Sequence, residues 1–174
     1  MARRCTADDF DRMLAIINDA ARAYRGIIPD DRWKEPYMPA EELAGEIAAG
    51  IEFDGCEIAG TGLVGVMGVQ MVEDVALIRH AYVATSRQRS GIGSALLERL
   101  RGRVDRPILI GTWAAATWAI DFYRRHGFEL VPAGEKSTLL RRYWTVPERQ
   151  IETSVVLADP RWHARATGGS ASSS

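Results

Sequence analysis

Apolar residues recur along the first half of the chain at spacings that predict two helices. The first helix carries a stripe at every third or fourth position, made of Phe10, Met13, Leu14, Ile17 and Ala21. Thr6 followed by Asp9 is typical of a capping box at the start of that helix. A second helix is predicted from Pro39, with Leu43 and Ile47 on its apolar side and Gly50 placed to end it.

Strand-like stretches flank and follow these helices. They are predicted at residues 3–5, 51–58, 63–72 and 75–83. Only Glu73 and Asp74 separate the last two, so we expect an antiparallel hairpin there. Residues 24–38, between the two helices, form a long irregular connection, and connections of that length often border binding sites.

The second half of the chain repeats the alternation of helices and strands. A helix after Gly91 is expected to bury Ile92, Leu96 and Leu100 and to expose Glu98, Arg99 and Arg101. A strand at 108–110 precedes a helix at 114–126, which has Trp118 and Phe122 on one face and ends at Gly127. Residues 128–131 predict a strand, residues 135–144 an inserted helix, and residues 151–157 a last strand after a break at Pro147.

Composition and charge narrow the functional classes. The 174 residues are 47% hydrophobic and 26% charged, as in an ordinary globular protein. The formal net charge is −1, which argues against a basic surface for nucleic acid. Cys5 and Cys56 have neither metal-ligand nor redox spacing, so we expect two reduced thiols and no metal. No apolar run is long enough to span a membrane and the N-terminus lacks a signal-peptide core, which predicts a cytoplasmic protein that does not bind membranes.

The junction at residues 81–100 is a candidate anion site. An apolar run passes through a short polar loop with Gly91 and Gly93 into an apolar-periodic helix. Glycine lets the backbone turn sharply and approach a ligand closely, and the first N–H groups of a helix have no partner within it. A diphosphate fits such donors and the positive end of the helix dipole.

Two motifs in fixed order resemble the GCN5-related N-acetyltransferase (GNAT) superfamily. They read Gln88-Arg89-Ser90-Gly91-Ile92-Gly93 and, one strand later, Ala119-Ile120-Asp121-Phe122-Tyr123-Arg124-Arg125-His126-Gly127-Phe128. The resemblance in motif order covers residues 63–131. It implies an α/β, single-domain acyl-CoA N-acyltransferase fold with a mixed, mostly antiparallel sheet flanked by helices, here with an extra helix before the last strand. We expect this domain at residues 1–158 and a flexible C-terminal tail at 159–174.

The resemblance also implies a function and a set of site residues. The implied activity is transfer of an acetyl group from acetyl-CoA to a primary amine by direct attack on the thioester. The first motif would bind the coenzyme A diphosphate, a backbone N–H near Val83 would polarise the thioester carbonyl, and Tyr123 would lie beside the sulfur. The implied cofactor-binding residues are Val83, Gln88, Arg89, Ser90, Gly91, Ile92, Gly93, Ser94 and Tyr123. One position departs from the family pattern, because Ala116 stands where many members have an asparagine that helps hold the pantetheine arm; Thr117 or backbone groups are candidate substitutes.

The chemistry of acetyl transfer suggests which side chains carry protons. An alkyl ammonium must lose a proton before its nitrogen can attack, and the departing thiolate benefits from an acid. Tyr123 is the predicted acid, with a purely packing role as the alternative. His80 is the predicted base because an imidazole accepts protons near neutral pH, with Glu73 or a water relay as alternatives. Arg87 and Arg89 either pair with phosphates or are solvated.

The acceptor and the partners stay open at the level of sequence. A small-molecule amine and a protein amine both fit, and Asp30, Asp31 and Glu35 in the irregular connection would suit a cationic acceptor. The inserted helix, with Arg141, Arg142, Tyr143 and Trp144, is expected to influence acceptor choice and is a candidate surface for a homodimer; the alternative is a helix that only buries Leu139 and Leu140. A different functional class, an inactive acyl-CoA-binding sensor or scaffold of the same fold, is the second hypothesis.

Overall fold

The predicted alternation of helices and strands is present in the computed structural model, which describes residues 1–168. The strands of this part are β1 (Ala2–Arg4), β2 (Glu52–Ile58), β3 (Gly62–Val72), β4 (Val75–Val83), β5 (Ile108–Trp113), β6 (Glu129–Leu130) and β7 (Ser154–Ala158). The α-helices are α1 (Phe10–Ala20), α2 (Ala40–Ala48), α3 (Ile92–Arg103), α4 (Thr117–Arg125), α5 (Ala133–Tyr143), α6 (Glu148–Glu152) and α7 (Pro160–Gly168). The strands form a seven-stranded mixed sheet in the order β1-β2-β3-β4-β5-β7-β6, which confirms the predicted fold class.

The chain divides into two compact units, and strand β4 contributes to both. Unit 1 comprises Met1–Gln70 and Ile78–Val104, and unit 2 comprises Met71–Leu77 and the described residues from Asp105 onward. In unit 1, β2 pairs antiparallel with both β1 and β3. Helices α1 and α2 contribute to a core together with β2 and β3, built from Met13, Ile16, Ile17, Met38, Leu43, Ile51, Phe53, Leu63 and Val66.

Unit 2 is organised around β7, which pairs antiparallel with both β5 and β6. Its core comes from the strands and from the inserted helix α5, and consists of Val75, Leu77, Leu109, Val131, Leu139, Leu140, Tyr143, Trp144, Ile151, Val156 and Ala158. The extra helix before the last strand is therefore present, and its apolar side closes the core of this unit.

Two boundaries in unit 2 differ clearly from the prediction. Residues 151–152 belong to α6 and not to the last strand, because Pro147 starts a helical turn in which the N–H of Ile151 bonds the carbonyl of Pro147 at 3.1 Å. A short apolar stretch is ambiguous between helix and strand when only its periodicity is known. Helix α4 begins at Thr117, since residues 114–116 form a turn in which Ala116 N–H bonds the carbonyl of Trp113.

The expected flexible tail at 159–174 begins with a helix. α7 covers Pro160–Gly168, and Trp162 packs against the core of unit 2. Asp159 anchors its start, because its backbone N–H bonds the carbonyl of Ile108 and its carboxylate binds Arg161. The rest of the predicted tail, residues 169–174, lies outside the described residues.

Candidate active site

The loop between β4 and α3 has the backbone of an anion cradle. After β4 a single 3₁₀ turn, Thr85–Arg87, leads into a stretch where Arg89 has a φ of 61° and Gly91 a φ of 79°. Left-handed residues in such loops turn successive N–H groups towards one side, a concave arrangement that suits anions. Arg89 adopts this conformation although it is not glycine, which costs free energy and therefore indicates a loop shaped by its surroundings.

Helix α3 follows directly and supplies further donors. Gly91 is its N-cap, and the first hydrogen bond of the helix runs from the N–H of Ala95 to the carbonyl of Gly91 at 3.0 Å. The N–H groups of Ile92 and Gly93 precede that bond, so the helix provides no carbonyl for them. The backbone N–H groups that are predicted to bind the diphosphate are therefore consecutive along one turn.

A close approach to the sheet sets the position of this helix terminus. A Cβ atom placed on Gly65 of β3 would lie 2.6 Å from Cγ2 of Ile92 and 3.4 Å from Cδ1 of Leu96. The absence of a side chain at Gly65 lets the first turn of α3 pack directly on β3. The sequence analysis missed Gly65, although a glycine inside an apolar strand is a known sign of close backbone approach.

Side chains of the loop bind its own backbone and helix α1. The backbone N–H of Thr85 donates to Asp19 of α1 at 2.8 Å, and the Thr85 hydroxyl donates to the same carboxylate. Gln88 donates through Nε2 to the carbonyl of Val83 at 3.5 Å, and the Ser90 hydroxyl donates to the carbonyl of Arg87. Predicted cofactor residues Gln88 and Ser90 thus hold the shape of the loop.

Two arginines of the loop are available for phosphate. Arg87 and Arg89 are exposed, and neither forms an ion pair with the residues that the structure describes. Both lie beside the left-handed backbone described above. Their position supports the phosphate-pairing alternative of the sequence analysis, which stays a prediction.

His80 lies in β4 in the same unit as the loop, three residues before Val83. Its φ is 56°, a left-handed conformation inside a strand, as in a β-bulge that changes the direction of a side chain. Its Nε2 atom contacts Oε2 of Glu46 on α2. The predicted base is therefore a constrained, mostly buried histidine paired with a carboxylate that the sequence analysis did not identify.

Tyr123 lies in unit 2, on α4, and is buried. Its ring meets Phe122 edge-on at 5.1 Å between centroids and Phe128 at 5.7 Å. Trp118 is 43% exposed and Phe122 is only partly buried, whereas Tyr123 is the residue of α4 that is buried. Gly127, with a φ of 85°, ends the helix as predicted.

Glu73, the alternative base, lies in the two-residue turn between β3 and β4. Its carboxylate binds Arg142 at 3.0 Å, and about half of its side chain is exposed. The same turn holds Asp74, which accepts hydrogen bonds from the hydroxyl of Tyr143 and from Arg165, both at 2.7 Å. The hydrogen bonds from Tyr143 and Arg165 lower the pKa of the Asp74 carboxyl. Burial and the hydrogen bond to Asp74 raise the pKa of Tyr143 to about 12.

The four residues at the end of the inserted helix that were candidates for acceptor binding all contact other residues of unit 2. Tyr143 and Trp144 are buried in the core of unit 2, where Trp144 packs on Gly111 of β5. Arg141 binds Glu148 at 2.9 Å, and Arg142 binds Glu73. These contacts favour the alternative in which the helix closes the core together with Leu139 and Leu140.

The part of the chain that contains the β4–α3 loop, His80 and Tyr123 matches a known protein family. Residues 49–130 match the sequence model of the family described as "Acetyltransferase (GNAT) domain". This segment of the chain is similar to GNAT acetyltransferase domains. The matched segment includes the β4–α3 loop, His80 and Tyr123, so both motifs of the resemblance fall inside it. No curated protein sequence matches the chain at a significant level.

Solved structures share the GNAT fold at low sequence identity. The PaiA N-acetyltransferase of Thermoplasma acidophilum, in complex with coenzyme A, is 17% identical with a TM-score of 0.67, over 91% of this chain and 97% of that one. A GNAT-family acetyltransferase of Staphylococcus aureus is 15% identical with a TM-score of 0.68, over 91% and 97%. The ribosomal-protein-S18-alanine N-acetyltransferase of Escherichia coli is 18% identical with a TM-score of 0.64, over 92% and 93%.

The departure from the GNAT motif is visible at the start of α4. Ala116 is fully buried at the N-cap and accepts the N–H of Ala119 at 3.0 Å, whereas Thr117 is exposed on the first turn. Between these two positions, only Thr117 offers a polar side chain to a ligand. Within residues 1–168, no cluster of three His, Cys, Asp or Glu side chains is arranged to hold a metal, and no helix is long and apolar enough to cross a membrane.

Proposed function

We propose that this protein is an acetyl-CoA-dependent N-acetyltransferase that acetylates a primary amine by direct attack of the amine on the thioester. The observation that carries the proposal is the cradle of the β4–α3 loop, with left-handed Arg89 and Gly91 at the N-terminus of a twelve-residue helix, inside the segment that matches the GNAT domain. The coenzyme A bound to the Thermoplasma structure of the same fold supports the choice of donor.

The loop residues would hold the donor through the backbone. The N–H groups of Gly91, Ile92, Gly93 and Ser94 are oriented by the helix and its N-cap, and the helix dipole adds positive potential for a diphosphate. The side chain of Ile92 is buried, so its contribution is the backbone N–H alone. A backbone N–H near Val83 is the proposed donor to the thioester carbonyl, where negative charge develops during attack.

Two protons leave the substrate nitrogen during the reaction. The ammonium first gives one proton to a base, proposed to be His80, and the neutral amine then attacks the thioester carbon. When the carbon–sulfur bond breaks, the Tyr123 hydroxyl is the proposed acid that protonates the departing thiolate, and the second proton of the nitrogen then restores that hydroxyl. The products are the N-acetylated amine and free coenzyme A.

The acceptor is proposed as a small-molecule amine or a protein amine. The Escherichia coli structure is described as acting on an alanine of a ribosomal protein, which supports retaining a protein amine as one of the two classes. An acetylation screen over small amines, polyamines and peptides, read as release of free thiol, identifies the class. A cytoplasmic location and a homodimer are likewise proposals.

Donor binding is tested by calorimetry with acetyl-CoA on Gly91→Val. We expect an affinity loss of tenfold or more, about 1.4 kcal/mol, because valine is strained at a φ of 79° and distorts the cradle. Gly60→Val is the matched control, since Gly60 has a φ of 77° and open space around it but lies outside the loop. Equal affinity of a folded Gly91→Val variant would contradict the assignment.

The role of Tyr123 is tested by Tyr123→Phe, which keeps the ring and removes the hydroxyl. We expect turnover to fall about 10²-fold while donor affinity is unchanged, as for the loss of one proton-transfer group. Tyr143→Phe is the control, because that hydroxyl donates to Asp74. Unchanged turnover would show that Tyr123 only packs; donor binding without turnover on any amine would instead support the sensor hypothesis.

A further inference from the structure

Glu46 and His80 form a pair that joins α2 to β4. Oε2 of Glu46 contacts Nε2 of His80, and apart from this contact neither atom has a hydrogen-bond partner among the described residues. The two side chains are mostly buried, with 21% and 15% of their surfaces exposed. Two polar atoms that are withdrawn from water and face each other depend strongly on that contact.

The imidazole ring is held in orientation by two aromatic side chains. Phe53 and Tyr82 lie 6.2 and 6.4 Å from His80 between ring centroids, at interplanar angles of 24° and 22°. The left-handed backbone of His80 adds a conformational cost that only the surrounding contacts can sustain. Such a cost is more typical of a functional position than of an ordinary strand residue.

The pairing assigns different roles to the two ring nitrogens. An ionised carboxylate only accepts hydrogen bonds, so the hydrogen of a neutral His80 lies on Nε2 and points at Glu46. Nδ1 is then the basic nitrogen, and it makes no hydrogen bond with the described residues. Because Nε2 is buried, the exposed part of the ring is elsewhere.

The charges around the pair keep Glu46 ionised. Burial acts to raise the pKa of Glu46, but the hydrogen bond and charge of His80, then Arg79 and Lys34, outweigh burial and lower it. Arg79 lies 3.8 Å from the other carboxylate oxygen, and Lys34 binds Glu42 one turn earlier on α2.

On this geometry we propose that Glu46 is the positioning residue of a His80–Glu46 dyad, which leaves Nδ1 of His80 as the atom that takes the proton from the substrate ammonium. The inference rests on the proposed acetyltransferase function and names the residue that makes His80 a base. In the step, the N–H bond of the ammonium breaks, the proton binds Nδ1, and the resulting imidazolium donates from Nε2 to the carboxylate. The proton returns to solvent after the amide has formed.

The kinetic test compares Glu46→Gln with Glu42→Gln, its neighbour one turn earlier on α2. Glutamine at 46 keeps a hydrogen-bond acceptor but loses the charge that stabilises the imidazolium, so His80 becomes a weaker base. We expect kcat to fall at least tenfold with an unchanged affinity for acetyl-CoA. The pH profile of kcat is expected to differ from that of the wild type. Glu42→Gln should match the wild type, and Glu46→Gln should have no further effect in a His80→Ala background.

Nuclear magnetic resonance of the ring nitrogens tests the dyad without turnover. The wild-type protein should show neutral His80 protonated at Nε2, with an Nε2 resonance that moves in Glu46→Gln and not in Glu42→Gln. If the spectra show this and no amine is acetylated, the proposed function fails and the dyad stands as a structural pair. Unchanged kcat and pH profile in an active, folded Glu46→Gln enzyme, or an Nδ1-protonated His80, would overturn the inference.

Discussion

Replacing Gly65 by alanine should displace the N-terminus of α3 and weaken donor binding. The new Cβ atom would lie 2.6 Å from Cγ2 of Ile92, about 1 Å inside a normal carbon contact. That methyl belongs to a β-branched side chain with few rotamers, so the helix must shift or the strand must bend. The new Cβ atom would also lie 3.4 Å from Cδ1 of Leu96 and 3.5 Å from the carbonyl oxygen of Tyr82. It therefore cannot avoid Ile92 by moving towards either of these atoms.

The expected cost follows from opposing contributions. Overpacking of a core by one carbon costs about 1–3 kcal/mol. Replacing glycine by alanine reduces the conformational entropy of the unfolded chain, which stabilises the folded protein by about 0.4–1 kcal/mol. We therefore expect Gly65→Ala to lower the free energy of unfolding by about 1–2 kcal/mol. Because the donors for the diphosphate lie on the displaced turn, we also expect a loss of acetyl-CoA affinity of about tenfold.

Urea unfolding and calorimetry with acetyl-CoA measure the two effects, and a double-mutant cycle assigns their cause. Ile92→Ala removes Cγ2, so in that background Gly65→Ala should cost little or stabilise. Gly102→Ala is the control within α3, because a Cβ there meets nothing within 4 Å. The reasoning is refuted if Gly65→Ala keeps wild-type stability and affinity, or if it costs the same with and without the Ile92 side chain.

Three further predictions concern stability and reactivity. The hydrogen bond from Arg3 holds the pKa of Asp9 at about 2, so the pair should contribute about 1 kcal/mol above pH 4 and lose it as the pH falls to 2, measured by acid unfolding of the wild type and Asp9→Asn. Burial raises the pKa of Cys5 to about 11, so mass spectrometry at pH 8 should show slow alkylation until the protein is unfolded. Asp54 is fully buried and binds Nε of Arg103 at 2.8 Å, so Asp54→Ala should lower the free energy of unfolding by about 3 kcal/mol in urea.

Each of these has an outcome that contradicts it. Asp8→Asn, at an exposed neighbouring position, should leave the acid unfolding transition unchanged. Equal transitions for the wild type and Asp9→Asn would show that the Arg3–Asp9 pair does not contribute to stability. Alkylation of Cys5 in the folded protein as fast as in urea would show an open thiol. A cost below 1 kcal/mol for Asp54→Ala would mean that Arg103 finds water or another acceptor without loss.

Elements whose signals are local could be predicted from the amino-acid sequence. The apolar stripe of α3, the three strands up to Val83 and the glycines of the β4–α3 loop all depend on residues within one or two turns of each other. Periodicity and turn chemistry therefore predicted them with boundaries close to those observed. The motif residues of the loop were found for the same reason, since a backbone cradle is built from consecutive residues.

Contacts between side chains that are distant in sequence could not be predicted, because they depend on how the elements pack. Glu46 and His80 are 34 positions apart, and nothing in the stripe of α2 distinguishes Glu46 from its exposed neighbour Glu42 until β4 lies against that helix. The same holds for Gly65, whose role exists only because Ile92 packs on it. Helical spacing was also compatible with a ligand-binding role for Tyr143. In the structure this side chain is instead buried in the core of unit 2. Local sequence sets the conformation of a segment, whereas burial, ion pairing and backbone strain arise from contacts that form when segments pack.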